Sequence, residues 1–207
     1  MRKQGIYKKQ FDRPHVAFED FRRDPEANPL PSPSGKIEIY SETLAKINEE
    51  WELDEDESIT PLPEYVSTFN GWDSPDRKEF PLQLTGFHYK SRAHSTYGNV
   101  DILKAAAPQE LWINPVDAAS RNIDNGDLVS VRSKFGEMNV RVKVTPRIMP
   151  HVVGLGEGAW YAPNAKGVDQ AGSINVLTTQ RPSPLAKSNP SHTNLVEVTL
   201  IKKMGAK

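Results

Sequence analysis

Many of the side chains able to do chemistry lie in one polar loop, LQLTGFHYKSRAHST over residues 82–96. The cations in and just after this loop are Lys90, Arg92 and Lys104, and the only acid up to residue 104 is Asp101. Phosphates accept hydrogen bonds from cations and from neutral donors, so this composition suits a large anionic ligand. A surface loop that only solvates itself has the same composition, and both interpretations remain open.

His88 and His94 in this loop also suggest a metal site. Their six-residue separation does not match the i, i+4 spacing that places two histidines on one helix face. The residues considered for completing a ligand set are Asp101, His151 and His192. A small metallohydrolase using His88, His94 and Asp117 is therefore only an alternative, and we assign no metal ligand and no catalytic residue.

A second group of polar residues lies at a predicted helix start, WINPVDAAS over residues 112–120. Asn114 followed by Pro115 is typical of an N-cap and first helical residue, and Asp117 in the first turn favours the helix dipole. A carboxamide and a carboxylate also match guanine, which presents N1–H and N2–H₂ donors beside the O6 acceptor. Capping and purine binding compete for the same atoms, and the spacing alone favours capping.

The third group is a long polar segment over residues 177–194. It contains Arg181 and Lys187, no acid, and many Asn, Gln, Ser and Thr side chains. Long irregular loops inside compact domains are usually functional or disordered. Because an apolar strand is predicted over residues 195–201, we expect the loop to be held at both ends.

Short strands and short helices are predicted to position these loops. The predicted strands cover residues 82–84, 111–113, 128–133, 138–144, 151–153 and 195–201. Short helices are predicted after Asn99 and from Pro115 to Arg121. Long helices at βαβ spacing are missing, which favours a mainly β fold, a β-barrel of mixed connectivity, over a doubly wound sheet.

The part of the chain before residue 80 is predicted to be a small α/β segment followed by a connector. Residues 35–40 alternate polar and apolar side chains like a strand, and Ser41 can cap a helix through Leu44 and Ile47. Seven of the nine residues over 49–57 are acidic, which predicts an exposed loop. The domain division is 1–60 for the N-terminal segment, 61–79 for the connector and 80–207 for the barrel.

Composition excludes several classes of function. The 207 residues carry a net charge of -1, so no global field attracts nucleic acid, and we expect no nucleic-acid partner. The absence of cysteine removes disulfides, iron–sulfur ligation and thiolate zinc sites within this chain. No signal-peptide pattern and no apolar run of 18 residues occurs, so we expect no direct membrane insertion.

Four motifs occur in a characteristic order along the chain. They are LPSPSGKIEIYS (30–41), TGFH with RAHS (85–88 and 92–95), WINPVDA with NGDLV (112–118 and 125–129), and INVLT (174–178). On these motifs the chain resembles, over essentially its whole length, the C-terminal region of the dimethyl sulfoxide reductase family of molybdenum oxidoreductases. The segments EGAWY (157–161) and RPSPLAK (181–187) point to the catalytic subunits of the anaerobic, membrane-anchored subgroup.

The resemblance implies a fold and a cofactor. The fold would be a six-stranded double-psi β-barrel that closes over a bis-molybdopterin guanine dinucleotide. The residues implied to contact a pterin and the phosphates are Thr85, Gly86, His88, Arg92, His94 and Ser95. Those implied to contact a guanosine are Asn114 and Asp117, and those at the second pterin are Asn175, Ser191, His192 and Thr193.

Three positions depart from the family pattern. Asn122 and His151 stand where family members usually have a glycine at a turn, so a left-handed backbone is expected at both. Asparagine tolerates that conformation, whereas His151 is expected to be strained. Ser191 stands where a glutamine commonly precedes the His-Thr pair.

The resemblance also carries expectations about a larger enzyme. Catalytic subunits of the family are several times longer, and their molybdenum ligand, iron–sulfur cysteines and twin-arginine signal lie upstream of this region. We therefore expect the cofactor-binding portion of an S-oxide or N-oxide reductase of anaerobic respiration, inactive alone. The implied partners are the remainder of the catalytic subunit, an iron–sulfur electron-transfer subunit and a membrane anchor subunit, on the periplasmic or cell-envelope side. The alternative is a detached, non-catalytic nucleotide- or pterin-binding module or relic.

Overall fold

A computed structural model describes residues 5–189 and 192–204. Ser191, one of the implied pterin contacts, lies outside these residues. The chain divides into two compact units, one of residues up to Glu49 with Thr60–Glu64, the other of Glu50–Ile59 with Tyr65 onward. The boundaries 1–60, 61–79 and 80–207 stay a prediction. Within the described ranges, no helix is both long enough and apolar enough to cross a membrane.

The N-terminal unit contains α1 (Glu19–Arg23) and all but the last residue of α2 (Glu42–Glu50). Ser41 Oγ accepts a hydrogen bond from the Leu44 amide at 3.3 Å, which confirms the predicted cap of α2. The strand predicted over residues 35–40 is wrong. Ile37 and Ile39 are 76% and 71% exposed, and the described part of this unit has no strand to pair with.

The second unit is a closed six-stranded barrel. Its strands are β1 (Leu82–Phe87), β2 (Glu110–Ile113), β3 (Leu128–Arg132), β4 (Glu137–Val144), β5 (Val152–Gly156) and β6 (Asn194–Lys202). Its α-helices are α3 (Asp101–Ala106) and α4 (Pro115–Ser120), and 3₁₀ turns cover Pro75–Lys78 and Ile174–Leu177. The strand order around the barrel is β1-β5-β2-β4-β3-β6.

The barrel has an internal two-fold pattern that the sequence does not reveal. Strands β1 and β5 are parallel, strands β2 and β4 are parallel, and the other four neighbouring pairs are antiparallel. Exchanging β1 with β4, β2 with β5 and β3 with β6 reproduces the same neighbours and directions. This arrangement confirms the predicted double-psi β-barrel of mixed connectivity.

Alternating apolar side chains fill the barrel. In β4, Met138 and Val142 are fully buried, and Val140 between them is nearly so. The other strands contribute buried side chains in the same way: Leu82, Leu84, Leu111, Ile113, Val129, Val131, Val153, Leu155, Val196 and Val198. This period of two is the pattern from which the strands were predicted.

Helix starts around the barrel follow the predictions with one exception. Asn114 is the N-cap of α4, its Oδ1 accepting from the Val116 amide at 2.9 Å, and Pro115 is the first helical residue. Helix α3 is present, but its N-cap is Val100, which makes no side-chain cap. The prediction that Asn99 caps it is therefore wrong, because Asn99 lies one residue too early.

Both predicted left-handed positions are confirmed. Asn122 has φ 53° and His151 has φ 66°. For a residue other than glycine, asparagine or aspartate, the left-handed conformation costs about 1–2 kcal/mol. In this conformation the His151 amide donates a hydrogen bond to Asp117 Oδ2 at 2.7 Å.

We expect Leu111→Ala to lower the free energy of unfolding by about 2–5 kcal/mol, because Leu111 is fully buried between β4 and β5. Ile102→Ala, at a position that is 76% exposed, should change it by about 0.5 kcal/mol or less. Urea unfolding of both variants measures the difference. Equal losses in the two variants would contradict the barrel as the core of the protein.

Candidate functional site

One end of β5 carries a carboxylate surrounded by histidines. Glu157 follows β5 directly, and its side chain is only 17% exposed. His88 Nε2 lies 2.9 Å from Glu157 Oε2, His94 Nδ1 lies 3.8 Å from the same oxygen, and His192 Nε2 lies 3.9 Å from Oε1. The structure therefore brings together three predicted site residues that are far apart in sequence.

Arg92 attaches the polar loop to this end of β5. Its Nε donates to the Glu157 carbonyl at 2.9 Å, and its Nη2 donates to Gln109 Oε1 at 2.6 Å. Gln109 in turn donates to the carbonyls of Gly156 and Gly172 at 2.7 and 2.8 Å. Burial lowers the pKa of Arg92. Arg92 thus holds the loop in place, a role that its residue type alone did not indicate.

Two glycines allow the loop, Glu157 and β1 to approach closely. A Cβ atom on Gly158, which has φ +84°, would lie 1.8 Å from the His94 carbonyl oxygen. A Cβ atom on Gly86 would lie 2.6 Å from Glu157 Oε1. The Gly86 amide donates to His192 Nδ1 at 3.2 Å. Side chains at either glycine would push the histidines and Glu157 apart.

The predicted guanine pair lies elsewhere, where β2 ends and β5 begins. Asn114 caps α4 with Oδ1 and donates from Nδ2 to the Ile148 carbonyl at 2.7 Å. Asp117 is buried, with a side chain 5% exposed, and its Oδ2 accepts from the His151 amide. His151 Nδ1 lies 3.7 Å from Asp117 Oδ1, and the His151 side chain is 61% exposed. His151 thus partly covers the free side of the carboxylate.

The two groups lie at opposite ends of the same strand. His151 immediately precedes β5 and Glu157 immediately follows it. Six residues of extended chain correspond to about 20 Å at 3.3 Å per residue. A compact ligand cannot contact both groups, whereas an extended one can.

The remaining predicted residues are placed around the Glu157 end or near it. Thr85 is half-buried in β1, and Thr193 is half-buried just before β6. The Ser95 carbonyl accepts from Trp160 Nε1 at 2.8 Å. Asn175 is exposed in the 3₁₀ turn that follows Gly172, whose carbonyl binds Gln109.

A cleft of about 430 Å³ lies beside this end of the barrel. Arg92, Lys104, Gln109, Trp160 and Tyr161 line it. Trp160 and Tyr161 are 56% and 57% exposed, so they line the cleft rather than pack in the core. Two cations and two exposed aromatic rings suit a ligand with anionic and planar parts.

The metallohydrolase ligand set proposed from sequence is wrong in its third member. Asp117 lies at the far end of β5 from His88 and His94. The residue that completes the group is Glu157, with one ligand atom each of His88, His94 and Glu157 within 4.8 Å of the others. The sequence signal for Glu157 was an acid directly after a predicted strand, flanked by Gly156 and Gly158, and it was missed because the strand was predicted to end at residue 153.

The acidic run over residues 49–57 is largely exposed, as the sequence predicts, but three of its carboxylates also bind Arg181. Arg181 binds Asp56 at 2.7 and 2.5 Å, and its Nη2 lies 3.1 Å from Asp54 and 3.4 Å from Glu57. The Arg181 hydrogen bond lowers the pKa of Asp56, and the same bond raises the pKa of Arg181.

The loop after Arg181 is held at both ends, as predicted. Arg181 also lies 4.5 Å from the centroid of the Phe69 ring. Asn194 Oδ1, at the start of β6, accepts from the Thr179 amide at 3.1 Å. The loop that leads to His192 is therefore fixed on one side by Arg181 and on the other by β6.

The chain is similar to one family model and to several known proteins. The family model described as "Molydopterin dinucleotide binding domain" matches residues 82–195. Dimethyl sulfoxide reductase DmsA of Escherichia coli strain K12 is 64% identical over 95% of this chain and 24% of its own length. Putative dimethyl sulfoxide reductase chain YnfE of the same strain is 60% identical over 97% of this chain and 25% of its own length.

More distant relatives share the same region. Trimethylamine-N-oxide reductase 1 of Escherichia coli strain K12 is 36% identical over 91% of this chain and 23% of its own length. Acetylene hydratase from Pelobacter acetylenicus superposes with a TM-score of 0.66 at 20% identity, over 86% of this chain and 25% of that chain, which shows a shared fold. The chain spans about a quarter of the length of the curated relatives it matches.

We expect Arg181→Ala to speed amide hydrogen exchange at Ser183, Lys187 and Ser188, whose amides are hydrogen-bonded within the loop. Exchange measured by mass spectrometry should be unchanged in Lys166→Ala, an exposed position.

The same loop should also loosen in acid. Because the pKa of Asp56 is lowered in the folded chain, the ion pair contributes stability above the ordinary carboxyl pKa, and the contribution is lost as pH falls through the lowered value. Unchanged exchange in Arg181→Ala would show that the ion pair does not hold the loop.

Proposed function

The chain belongs to the Molydopterin dinucleotide binding domain family, and from this membership we propose that it covers a bis-molybdopterin guanine dinucleotide in an S-oxide or N-oxide reductase of the dimethyl sulfoxide reductase type. The observation that carries the proposal is an identity of 60–64% to dimethyl sulfoxide reductase chains over at least 95% of this chain. The trimethylamine-N-oxide reductase relatives support the wider class of oxide substrates.

The Glu157 end of β5 fits the pterin and phosphate part of such a cofactor. The side chains of His88, His94 and His192 are 65%, 74% and 62% exposed, so their ring nitrogens can reach a ligand. The cleft beside them contributes Arg92 and Lys104 as cations. A pterin presents ring donors and acceptors and a pyrophosphate presents oxygens, so both parts meet groups that can hydrogen-bond to them.

The Asp117 end fits the guanine. A carboxylate can accept from guanine N1–H and N2–H₂ together, which adenine cannot offer in the same arrangement. Asp117 Oδ2 accepts one hydrogen bond, from the His151 amide, and keeps a second lone pair, so Oδ1 and Oδ2 can together accept from the base. The exposed His151 ring, 3.7 Å from Oδ1, has to swing aside for the base to reach the carboxylate.

The distance between the two ends supports an extended dinucleotide rather than two separate ligands. Pterin at one end of β5 and guanine at the other require a ligand that spans about 20 Å. We propose that β5 acts as the rigid spacer that keeps the two contact groups at this separation. Thr85, Ser95, Asn175 and Thr193 supply further polar contacts around the pterin end.

The chain's own residues bind, orient and shield the cofactor. When bound, the molybdenum cofactor supplies the redox chemistry, and the protein supplies position and electrostatics. No catalytic residue is assigned within the described chain. The redox ligands and electron supply are proposed to come from the remainder of the catalytic subunit.

We also propose how the chain is assembled and located. Exposed apolar residues in the N-terminal unit support its packing against the remainder of a catalytic subunit: Ile6, Tyr7, Phe11, Ile37 and Ile39. An iron–sulfur subunit and a membrane anchor subunit complete the proposed assembly, on the periplasmic or cell-envelope side of the membrane. These partners and this location rest on the family resemblance alone.

The guanine assignment predicts selective nucleotide binding by the chain. Calorimetric titration should show tighter binding of guanosine diphosphate than of adenosine diphosphate. Asp117→Asn keeps an oxygen for the His151 amide but replaces one acceptor by a donor, so the affinity should fall about 10-fold or more. His151→Gly should tighten binding, because it removes the ring that covers Oδ1.

Two results would contradict the guanine assignment. One is equal affinity for the two nucleotides, and the other is binding that Asp117→Asn leaves unchanged. Circular dichroism of each variant verifies that the barrel remains folded. His15→Ala, an exposed histidine of the N-terminal unit, is the matched control for His151→Gly.

A further inference from the structure

We propose that His88, His94 and Glu157 form a binding site for a divalent transition-metal ion, with Zn²⁺ as the best-suited ion, when the dinucleotide is not bound. The three residues each offer one ligand atom, and these atoms lie within 4.8 Å of one another. The metal site goes beyond the proposed function. Only its competition with the dinucleotide rests on that function.

Two of the three ligand separations are close to those that zinc requires. Zinc bound at about 2.0–2.2 Å from nitrogen and oxygen ligands in a tetrahedron separates those ligands by about 3.3–3.5 Å. His88 Nε2 and Glu157 Oε2 are 2.9 Å apart, and His94 Nδ1 and Glu157 Oε2 are 3.8 Å apart. Both observed separations lie within about 0.4 Å of the required range. The ligand atoms of His88 and His94 lie within 4.8 Å of each other, and rotation of these exposed rings can close the remaining gap.

The ligand types select the class of metal. Imidazole nitrogens with one carboxylate oxygen suit zinc and its neighbours, whereas Mg²⁺ and Ca²⁺ prefer oxygen ligands alone. Two histidines and one carboxylate are also the protein ligands of several zinc sites that leave one position to water. We therefore expect Zn²⁺ to bind and Mg²⁺ not to compete with it.

His192 is close to the group but faces it as a donor. Its Nδ1 accepts from the Gly86 amide, so the neutral ring carries its hydrogen on Nε2, which lies 3.9 Å from Glu157 Oε1. In this tautomer Nε2 has no lone pair for a metal. The protein therefore supplies three ligands, and His192 lies beside the carboxylate, 3.9 Å from Oε1.

The backbone frame around the ligands is already in place. Gly158 packs against the His94 carbonyl, and Arg92 holds the Glu157 carbonyl at 2.9 Å. These backbone contacts fix the Cα positions of His94 and Glu157. Metal binding therefore needs side-chain rotation without rearrangement of the barrel. The site is thus preformed at the level of the backbone.

The metal and the dinucleotide would use the same imidazoles. His88 and His94 are proposed contacts of the pterin and phosphates, and a ring nitrogen bound to zinc cannot also donate to a phosphate. Zinc bound to the cofactor-free chain should therefore oppose loading of the dinucleotide. The guanine end, about 20 Å away along β5, should be unaffected.

Titration of the chelator-treated chain with ZnCl₂ by isothermal titration calorimetry tests the proposal. We expect one saturable Zn²⁺ per chain, unchanged in the presence of excess MgCl₂. His94→Ala and Glu157→Gln should each weaken binding about 10-fold or more, as loss of a ligand costs at least as much as loss of a supporting contact. His15→Ala, outside the group, should bind like the unmodified chain.

Absence of saturable binding would overturn the proposal, and so would equal affinity in His94→Ala, Glu157→Gln and the unmodified chain. His88→Ala provides a third variant at a side chain that is 65% exposed, where misfolding is not expected. Guanosine diphosphate binding, measured in the same samples, separates the two hypotheses. Zinc binding without nucleotide binding overturns the proposed function alone, and the reverse result overturns the metal site alone.

Discussion

The pairing of β5 with β1 on one side and with β2 on the other is the constraint on which the rest of the site depends. Hydrogen bonds on both edges hold β5 rigid, and the residues at its two ends are therefore held at a set separation. At one end, the His151 amide donates a hydrogen bond to the Asp117 carboxylate. At the other end, three histidine side chains lie within 3.9 Å of the Glu157 carboxylate. The polar loops contribute side chains, but β5 decides where those side chains meet.

A largely buried carboxylate lies at each end of β5, Asp117 at one end and Glu157 at the other. Each requires an unfavourable backbone conformation or a close backbone approach nearby. Asp117 is stabilised by the amide of a residue in the left-handed conformation, which costs about 1–2 kcal/mol of backbone strain. Glu157 requires glycines at positions 86 and 158, because a Cβ atom at either would collide with Glu157 or with the loop. Under the proposed function, these carboxylates serve ligand binding rather than stabilisation of the fold.

Much of the fold could be predicted because its physical signals are local. The alternation of Met138, Val140 and Val142 and the Asn114–Pro115 helix start depend on neighbours in sequence, and both predictions are confirmed. The strand over residues 35–40 has the same alternation but no strand to pair with in the described residues of its unit, so the prediction is wrong. Alternation shows that a segment is able to form a strand, whereas pairing decides whether it does.

The site was less predictable because it depends on contacts between distant residues. The histidines were recognised by type and by resemblance, but Glu157 was not, since it meets His88 only across 69 positions of sequence. Arg181 and the acidic run over residues 49–57 were each noticed, yet only the folded chain shows that they are partners. Whether the twelve residues implied by the family contact the cofactor stays a prediction.

Hydrogen exchange of the chain with and without molybdopterin guanine dinucleotide reports on both ends of β5 at once and so shows whether one ligand spans the strand. We expect the dinucleotide to slow exchange at two separate groups of amides, one at residues 86–95 with 157–160 and the other at residues 116–118 with 148–152. Protection at one group only, or at neither, would contradict a single extended ligand held along β5.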